Sequence, residues 1–229
     1  MTRLRRLLVV EPTETATAVL ARALQIARHF NAHVDLLMCA RPDRLSAGRR
    51  FIKGLVASVA APDIPIDPQV LTGISTADII ATRHREQPAD LVIKYPSQGD
   101  SASRQMWSSA DWQLLEACRC DVLLTRGAPW HPVPRFAAAI DVPADGPGSP
   151  QHAVFEALRG LALRYDASVE IIGSAPVTPL ASAAADDGID LLALGADARG
   201  QTWRERLSNP CGNAAFAVDC DLLIVNRAA

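Results

Sequence analysis

The sequence contains few of the features that mark membrane, zinc-binding or nucleic-acid-binding proteins. Its longest apolar run falls well short of the roughly 18 residues that a membrane-spanning helix needs. Its five cysteines form no C-x-x-C pair and have no histidines at zinc-ligand spacing. The net charge of −2 does not favour binding to nucleic acids or other polyanions. We therefore expect free thiols in a reducing cytoplasm, no metal site, no nucleic-acid partner and no membrane partner.

Known catalytic arrangements are missing as well. The chain has no Ser/His/Asp order, no paired-carboxylate motif and no Walker loop. Asp111 beside Trp112 suits the first turn of a helix better than the role of a general base. The N-terminal arginines precede apolar residues, but Glu11 and Pro12 end that run too early for a signal peptide. The sequence predicts a protein that is not an enzyme and needs no cofactor.

Strand-length apolar runs alternate with helical periodicities through the first half of the chain. The predicted strands are Leu7 to Val10, Val34 to Cys39, Gln69 to Thr72, Leu91 to Lys94 and Asp121 to Thr125. The predicted helices between them run from Thr13 to Phe30, from Phe51 to Ala60, from Ser75 to Glu86 and from Ala110 to Cys118. This βαβαβαβαβ order is typical of a parallel sheet with helices on both faces.

A proline-rich segment then separates two parts of the chain. The segment from Gly127 to Pro134 contains three prolines together with Trp130 and His131. We interpret residues 128–134 as a stiff linker. After it the strand-and-helix order begins again. The sequence predicts a first domain over 1–127 and a second over 135–229.

The two domains are related by an internal repeat. Cys120-Asp follows Asp90 by 30 positions, and Cys220-Asp follows Asp190 by the same distance, so these segments are offset by 100. Near the start of each domain the offset is larger: 130 from Glu11 to Asp141, and 135 from Ala32-His-Val to Ala167-Ser-Val. The second copy therefore lacks 35 residues, equivalent to a helix and the third strand.

A strand order of 3-2-1-4-5 makes this loss physically reasonable. In that doubly wound, flavodoxin- or Rossmann-like arrangement the third strand lies at an edge, so its removal leaves the central strands paired. The alternative is that the protein does have these residues and that they are omitted from this sequence near Thr178. In either case the new edge strand, Val169 to Ile172, needs cover from a partner or from the following loop, Pro176 to Pro179.

Three stretches resemble the universal stress protein (UspA) family, in its tandem, UspE-like branch. They are Val9-Val-Glu-Pro-Thr13, Ala110-Asp-Trp-Gln-Leu-Leu-Glu-Ala-Cys118 and Ala175-Pro-Val-Thr-Pro179. The resemblance implies a cytoplasmic, non-catalytic protein that acts in the stress response through a partner or a small molecule. It also implies that the two domains pack as an internal pair, with Asp121 to Thr125 beside Leu222 to Val225, and that a homodimer can form.

The same resemblance implies a degenerate nucleotide site in the second domain. Many family members bind ATP with a G-x-x-G-x9-G-[ST] loop after the fourth strand, where backbone N–H groups meet the phosphates. Placing Gly195 on the first glycine puts Ala198 on the second and Ser208-Asn209 on the final pair, while Asp141 matches the acidic nucleoside contact and Arg199 lies close to the phosphates. In the first domain Tyr95 and Gln98 replace the two leading glycines. The alternative function is therefore an ATP-binding switch or weak ATPase that uses the second domain only.

Overall fold

The computed structural model describes nine stretches of the chain. They are residues 4–11, 16–59, 61–73, 75–96, 109–118, 120–139, 150–172, 188–195 and 218–226.

Five α-helices, one short 3-10 helix (Pro42–Arg44) and nine strands lie in these stretches. The helices are α1 (Ala16–Phe30), α2 (Leu45–Ser58), α3 (Thr76–Glu86), α4 (Ser109–Ala117) and α5 (Pro150–Tyr165). The strands are β1 (Arg6–Glu11), β2 (His33–Cys39), β3 (Ile66–Leu71), β4 (Leu91–Lys94), β5 (Asp121–Leu124), β6 (Arg135–Ala139), β7 (Ser168–Ile172), β8 (Leu191–Gly195) and β9 (Asp221–Val225). No helix in the described stretches is long and apolar enough to cross a membrane.

All nine strands form one sheet in the order β3-β2-β1-β4-β5-β9-β8-β6-β7. Pairing is parallel within each half, and the halves meet where β5 pairs with β9 in antiparallel orientation. The first half has the predicted order 3-2-1-4-5. The described strands of the second half repeat that order without a third strand, so the predicted doubly wound tandem fold is confirmed.

The strand register confirms one predicted offset and corrects another. Leu91 pairs with Asp121 and Leu191 pairs with Asp221, which is the predicted offset of 100. On the other side, Leu7 pairs with Leu91 and Phe136 with Leu191, so the first strands are offset by 129 and not by 130. The value of 130 came from aligning Glu11 with Asp141; Glu11 is the last residue of β1, whereas Asp141 lies outside the described residues.

The edge of the first half differs from the sequence prediction in its boundaries. Helix α2 begins at Leu45 instead of Phe51, because Gly48, Ile52 and Leu55 form one buried face across its arginines. Strand β3 covers Ile66–Leu71 and includes Pro68, which was excluded from the prediction. A proline is tolerated there because β3 is an edge strand that pairs only with β2.

The opposite edge is formed by β7, as the loss of the third strand predicts. The side chains of Val169 and Ile171 are 38% and 49% exposed, although both lie on the face that α5 covers in the neighbouring strands. The loop predicted to cover them, Pro176 to Pro179, lies outside the described residues.

Two apolar clusters cover the two faces of the sheet. One joins alternate strand residues to α1, α2 and α5, and the other joins the intervening strand residues to α3 and α4. Strands buried on both faces explain why the central strands read as continuous apolar runs. Most charged residues of the central strands lie at the strand ends, where Lys94 ends β4 and Asp221 begins β9.

Candidate functional site

The carboxyl end of β4 carries a buried ion pair. Lys94 is the last residue of that strand, and its Nζ lies 2.6 Å from Oδ1 of Asp111 in the first turn of α4. The two side chains are 6% and 1% exposed. Lys94 Nζ also donates a hydrogen bond to the carbonyl oxygen of Tyr95 at 2.9 Å. Asp111 thus lies at a helix start, as predicted. Its ion pair with Lys94 was not predicted.

This pair lies at the edge of the sheet where doubly wound folds bind their ligands. Lys94 directly precedes Tyr95, the residue that replaces the first glycine of the nucleotide loop. Its ammonium group is already neutralised by Asp111, and removing either partner would leave a buried charge. In the first half, an internal ion pair therefore links the carboxyl end of β4 to the first turn of α4.

In the second half, the predicted site falls only partly within the described residues. Gly195 is the last residue of β8 and pairs with Val225. Leu194 pairs with Ala139, so the carboxyl end of β6 lies directly beside this glycine. The remaining predicted residues lie outside the described part of the chain; they are Asp141, Ala198, Arg199, Ser208 and Asn209.

The junction between the halves contains a second buried charge cluster, centred on Asp221 at the start of β9. Its Oδ2 lies 2.7 Å from Nε of Arg22 on α1 and accepts a hydrogen bond from Trp130 Nε1 at 3.1 Å. Its Oδ1 accepts from Thr125 Oγ1 at 3.0 Å and from the backbone N–H of Arg126 at 2.8 Å. One carboxylate thus binds the first half, the linker and its own half together.

Aromatic side chains enclose this carboxylate. Trp130 of the predicted linker is 7% exposed and packs edge-on against Phe136 and Tyr165, at centroid distances of 5.1 and 5.2 Å. The Arg22 guanidinium lies 4.0 Å from the centre of the Trp130 ring, within cation–π distance. The linker therefore supplies a core residue of the junction.

Burial opposes ionisation at the junction. It raises the pKa of Asp221, while the charge of Arg22 and the hydrogen bonds from Arg126, Thr125 and Trp130 act in the opposite direction. Burial likewise lowers the pKa of Arg22, against the attraction of Asp221. The ion pair and the hydrogen bonds to Asp221 thus offset part of the cost of burying these two groups.

The junction has an internal pseudo-twofold relation that is broken at one place. Asp121 accepts a hydrogen bond from the backbone N–H of Asn226 at 3.0 Å, as Asp221 does from Arg126. Asn31 and Asp166, which follow α1 and α5, share a positive φ of 52° and 51°, so the two helices are equivalent at an offset of 135. That offset places Ala157 where α1 has Arg22. A cavity of about 20 Å³ beside Ala157 and Asp121 lies in the corresponding space.

The remaining polar candidates give no metal site or disulfide within the described residues. No cluster of three or more histidine, cysteine or carboxylate side chains is found there. The four described cysteines, at positions 39, 118, 120 and 220, form no disulfide with one another.

Sequence reasoning predicted neither the Lys94–Asp111 pair nor the Arg22–Asp221 pair. A signal for one was present: Arg22 interrupts the apolar face formed by Val19, Ala23 and Ile26 on α1. The repeated Cys-Asp dipeptide was used only to align the two copies. Its aspartates begin the two strands that meet at the junction.

Comparison with known proteins identifies relatives of this arrangement. No family model matches the chain. The universal stress protein E homolog of Haemophilus influenzae is 27% identical over 94 residues, which cover 41% of this chain and 30% of that protein. The chain thus matches less than a third of the length of this curated relative.

Two solved structures share the fold over nearly the whole chain. A functionally unknown protein from Pseudomonas aeruginosa PAO1 has a TM-score of 0.73 at 18% identity, covering 98% of this chain and 93% of its own. A putative universal stress protein from Pseudomonas aeruginosa UCBPP-PA14 has a TM-score of 0.71 at 19% identity, covering 98% and 94%. At these identities the likeness establishes the fold, in both halves together.

Proposed function

We propose that this chain acts in the stress response without catalysing a reaction. It does so by binding a partner or a small molecule. Its resemblance to the UspE-like branch of the universal stress protein family is confirmed by the sequence match and by the fold. The observation that carries the proposal is the Lys94–Asp111 pair. At the carboxyl end of β4, Lys94 and Asp111 form a 2.6 Å ion pair with each other.

A buried, neutralised lysine is poorly suited to acid–base or phosphoryl-transfer chemistry. To act on a substrate its ammonium would have to leave Asp111, which has an exposed fraction of 1%. The resulting unpaired carboxylate would be strongly destabilising. The continuous sheet across the junction supports the same function, because it joins the two halves into one nine-stranded sheet that a partner can bind.

Two measurements test this proposal. Deleting the gene in the source organism should lower survival under starvation or oxidative stress, and returning the gene should restore it. Purified protein should hydrolyse ATP no faster than a matched buffer blank. Turnover that disappears in the Lys94→Met or the Gly195→Val variant, with the fold retained, would contradict the non-catalytic proposal.

A second candidate is an ATP-binding switch or weak ATPase that uses the second half. The observation in its favour is the position of Gly195 at the carboxyl end of β8, beside the end of β6. Asp141 follows β6 by two residues, so the acidic nucleoside contact and the glycine start from adjacent strands. Leu194 replaces Lys94 at the equivalent position, which leaves this half without the first half's lysine.

Calorimetric titration with ATP and Mg²⁺ separates the two candidates. If the second half binds nucleotide, Gly195→Val should abolish binding because a branched side chain blocks close approach of phosphates to the backbone. Gly54→Val is the matched control, since a Cβ at Gly54 meets no atom within 4 Å. No heat at millimolar ATP, with the protein folded, would eliminate the switch and leave the non-catalytic proposal intact.

A further inference from the structure

A cavity of about 360 Å³ lies in the first half, between the carboxyl end of β2 and helix α2. Its apolar wall includes Met38, Ala47 and Phe51, and the Phe51 ring is 38% exposed. Gly48 holds α2 close to the sheet, because a Cβ there would lie 3.1 Å from Val70 Cγ1 and 3.3 Å from Met38 Sδ. The cavity is therefore formed by packed elements, and its size is within the range of small-molecule sites.

The rim of this cavity is basic. Arg41 and Arg44 line it with side chains that are 84% and 78% exposed. Residues 41–53 contain five basic side chains and one acidic side chain, in a chain whose net charge is −2. The positive charge is thus concentrated on this segment and is not a property of the whole surface.

Asp43 is the only acidic residue in that segment. Its Oδ1 lies 3.3 Å from Nε of Arg41, and its Oδ2 lies 3.9 Å from Nε of Arg44. Such exposed pairs are weak, so an incoming anion can compete with Asp43 for the arginines. After Asp43 is counted, the rim keeps one net positive charge.

We propose that this cavity binds an amphiphilic organic anion, with its apolar body against Phe51, Ala47 and Met38 and its carboxylate or phosphate on Arg41 and Arg44. Guanidinium groups pair with both kinds of anion through two parallel hydrogen bonds. The apolar wall contributes affinity in proportion to the ligand surface that it buries. Carboxylate and phosphomonoester ligands share this chemistry, and the test below distinguishes them.

The site is independent of the proposed nucleotide loop. It is lined by the end of β2 and by the segment that leads into α2, and the second copy lacks a counterpart of α2 by sequence. Gly195 belongs to the other half, on β8. Binding here can therefore be present or absent whatever the outcome of the ATP titration.

The test uses three probes with the same chain length on the full protein: decanoate, decyl phosphate and decyltrimethylammonium. Calorimetry below the micelle concentration should show one equivalent of decanoate or of decyl phosphate bound, and much weaker binding of the cation. Binding of decanoate alone identifies a carboxylate ligand, and binding of decyl phosphate alone identifies a phosphomonoester. AMP, titrated in parallel, tests whether a nucleotide can replace the apolar body.

Four variants locate the binding. The double variant Arg41→Gln/Arg44→Gln should weaken anion binding by about 10-fold or more, since both charge-assisted contacts are lost. Asp43→Asn should strengthen it by about 2- to 5-fold, because a competing carboxylate is removed. Ala47→Phe should block the cavity from an exposed helix position, and Arg50→Gln is the control for loss of a positive charge on the same helix away from the cavity.

Any one of four results would overturn the proposal. The first three are equal affinity for the cationic probe, no binding of either decyl anion to the folded protein, and anion binding that Ala47→Phe leaves unchanged. Binding of AMP in place of both decyl anions would also overturn it, because the apolar body would then contribute nothing. A negative ATP titration in the same protein leaves this proposal standing, as does a positive one that is lost in Gly195→Val.

Discussion

The guanidinium of Arg22 lies 2.7 Å from the carboxylate of Asp221, although the two residues belong to different halves of the chain. Both side chains are almost fully buried, at 3% and 2% exposure. Asp221 also accepts hydrogen bonds from Thr125, Arg126 and Trp130. The halves are therefore joined by a specific polar contact in addition to the β5–β9 ladder.

Replacing Arg22 with methionine should lower the free energy of unfolding by about 3–5 kcal/mol, because Asp221 would stay buried without its counter-ion. Urea denaturation followed by circular dichroism measures the change. A double variant, Arg22→Met/Asp221→Leu, should recover part of the loss, since both charges are then absent.

The control for this prediction is the exposed pair between Arg159 and Glu156 on α5, whose atoms lie as close as 2.9 Å. Arg159→Met should change stability little, because solvent screens such pairs. Equal losses from Arg22→Met and Arg159→Met would show that burial at the junction has no energetic consequence.

Trp130→Phe should destabilise the protein by about 1–3 kcal/mol, because a buried carboxylate oxygen loses the indole N–H donor while the aromatic packing is largely kept. Trp130→Ala should cost more, since the contacts with Phe136 and Tyr165 are lost too. Thermal unfolding of the two variants measures the difference. The interpretation of 128–134 as a simple linker would be supported if neither substitution shifted the melting temperature.

Stability should fall as the pH rises above about 9, in part because of Cys220. Burial raises the pKa of this thiol to about 12, from an ordinary value of 9.0. Between these two values the unfolded chain loses the proton and the native protein keeps it, so unfolding is favoured by up to about 1.4 kcal/mol per pH unit. The stabilising contribution is complete below pH 9 and is lost toward pH 12.

Cys220→Ala should therefore show a shallower loss of stability across this pH range than the parent protein. Thiol labelling gives a second measurement. At pH 8 an alkylating reagent should modify Cys220 in urea but not in the native protein, and rapid native labelling would contradict the raised pKa.

Residues 1–127 expressed alone should form a homodimer. Without β9, strand β5 would expose an apolar edge that ordinarily pairs Leu123 with Leu223. Because Leu123 and Leu223 are equivalent in the repeat, two copies of the fragment can pair β5 with β5 in the same register. Sedimentation equilibrium should detect the dimer, and Leu123→Lys should disrupt it. A folded monomer at high concentration would contradict this prediction.

Much of the fold was predictable because local patterns specified it. The fourth strand was predicted at its observed bounds, and Ser75 caps α3 as expected, accepting a hydrogen bond from the backbone N–H of Asp78 at 3.1 Å. Prediction was poorest for α2 and β3 at the sheet edge. There arginines interrupt the apolar periodicity of the helix, and Pro68 lies inside a strand that only an edge position permits.

The candidate sites were less predictable than the fold. The family resemblance placed Gly195 directly after a predicted strand, and the structure has it as the last residue of β8. The Lys94–Asp111 pair joins residues that are 17 positions apart in the sequence, and no sequence motif predicts the contact. The cavity beside Phe51 depends on the separation between a helix and a strand, which periodicity does not specify.

By itself the sequence predicted the duplication, the strand order within each copy and a second copy that is shorter by 35 residues between its second and fourth strands. These follow from hydrophobic spacing and from repeated short segments, which are local properties. Only the tertiary structure decided that Arg22 pairs with Asp221 and that Trp130 is a core residue. The pairing of β5 with β9 was implied by the family resemblance and not by the residues themselves, and the structure shows it as an antiparallel ladder. Those contacts join residues far apart in the chain, and their strength comes from burial, which exists only once the halves have packed.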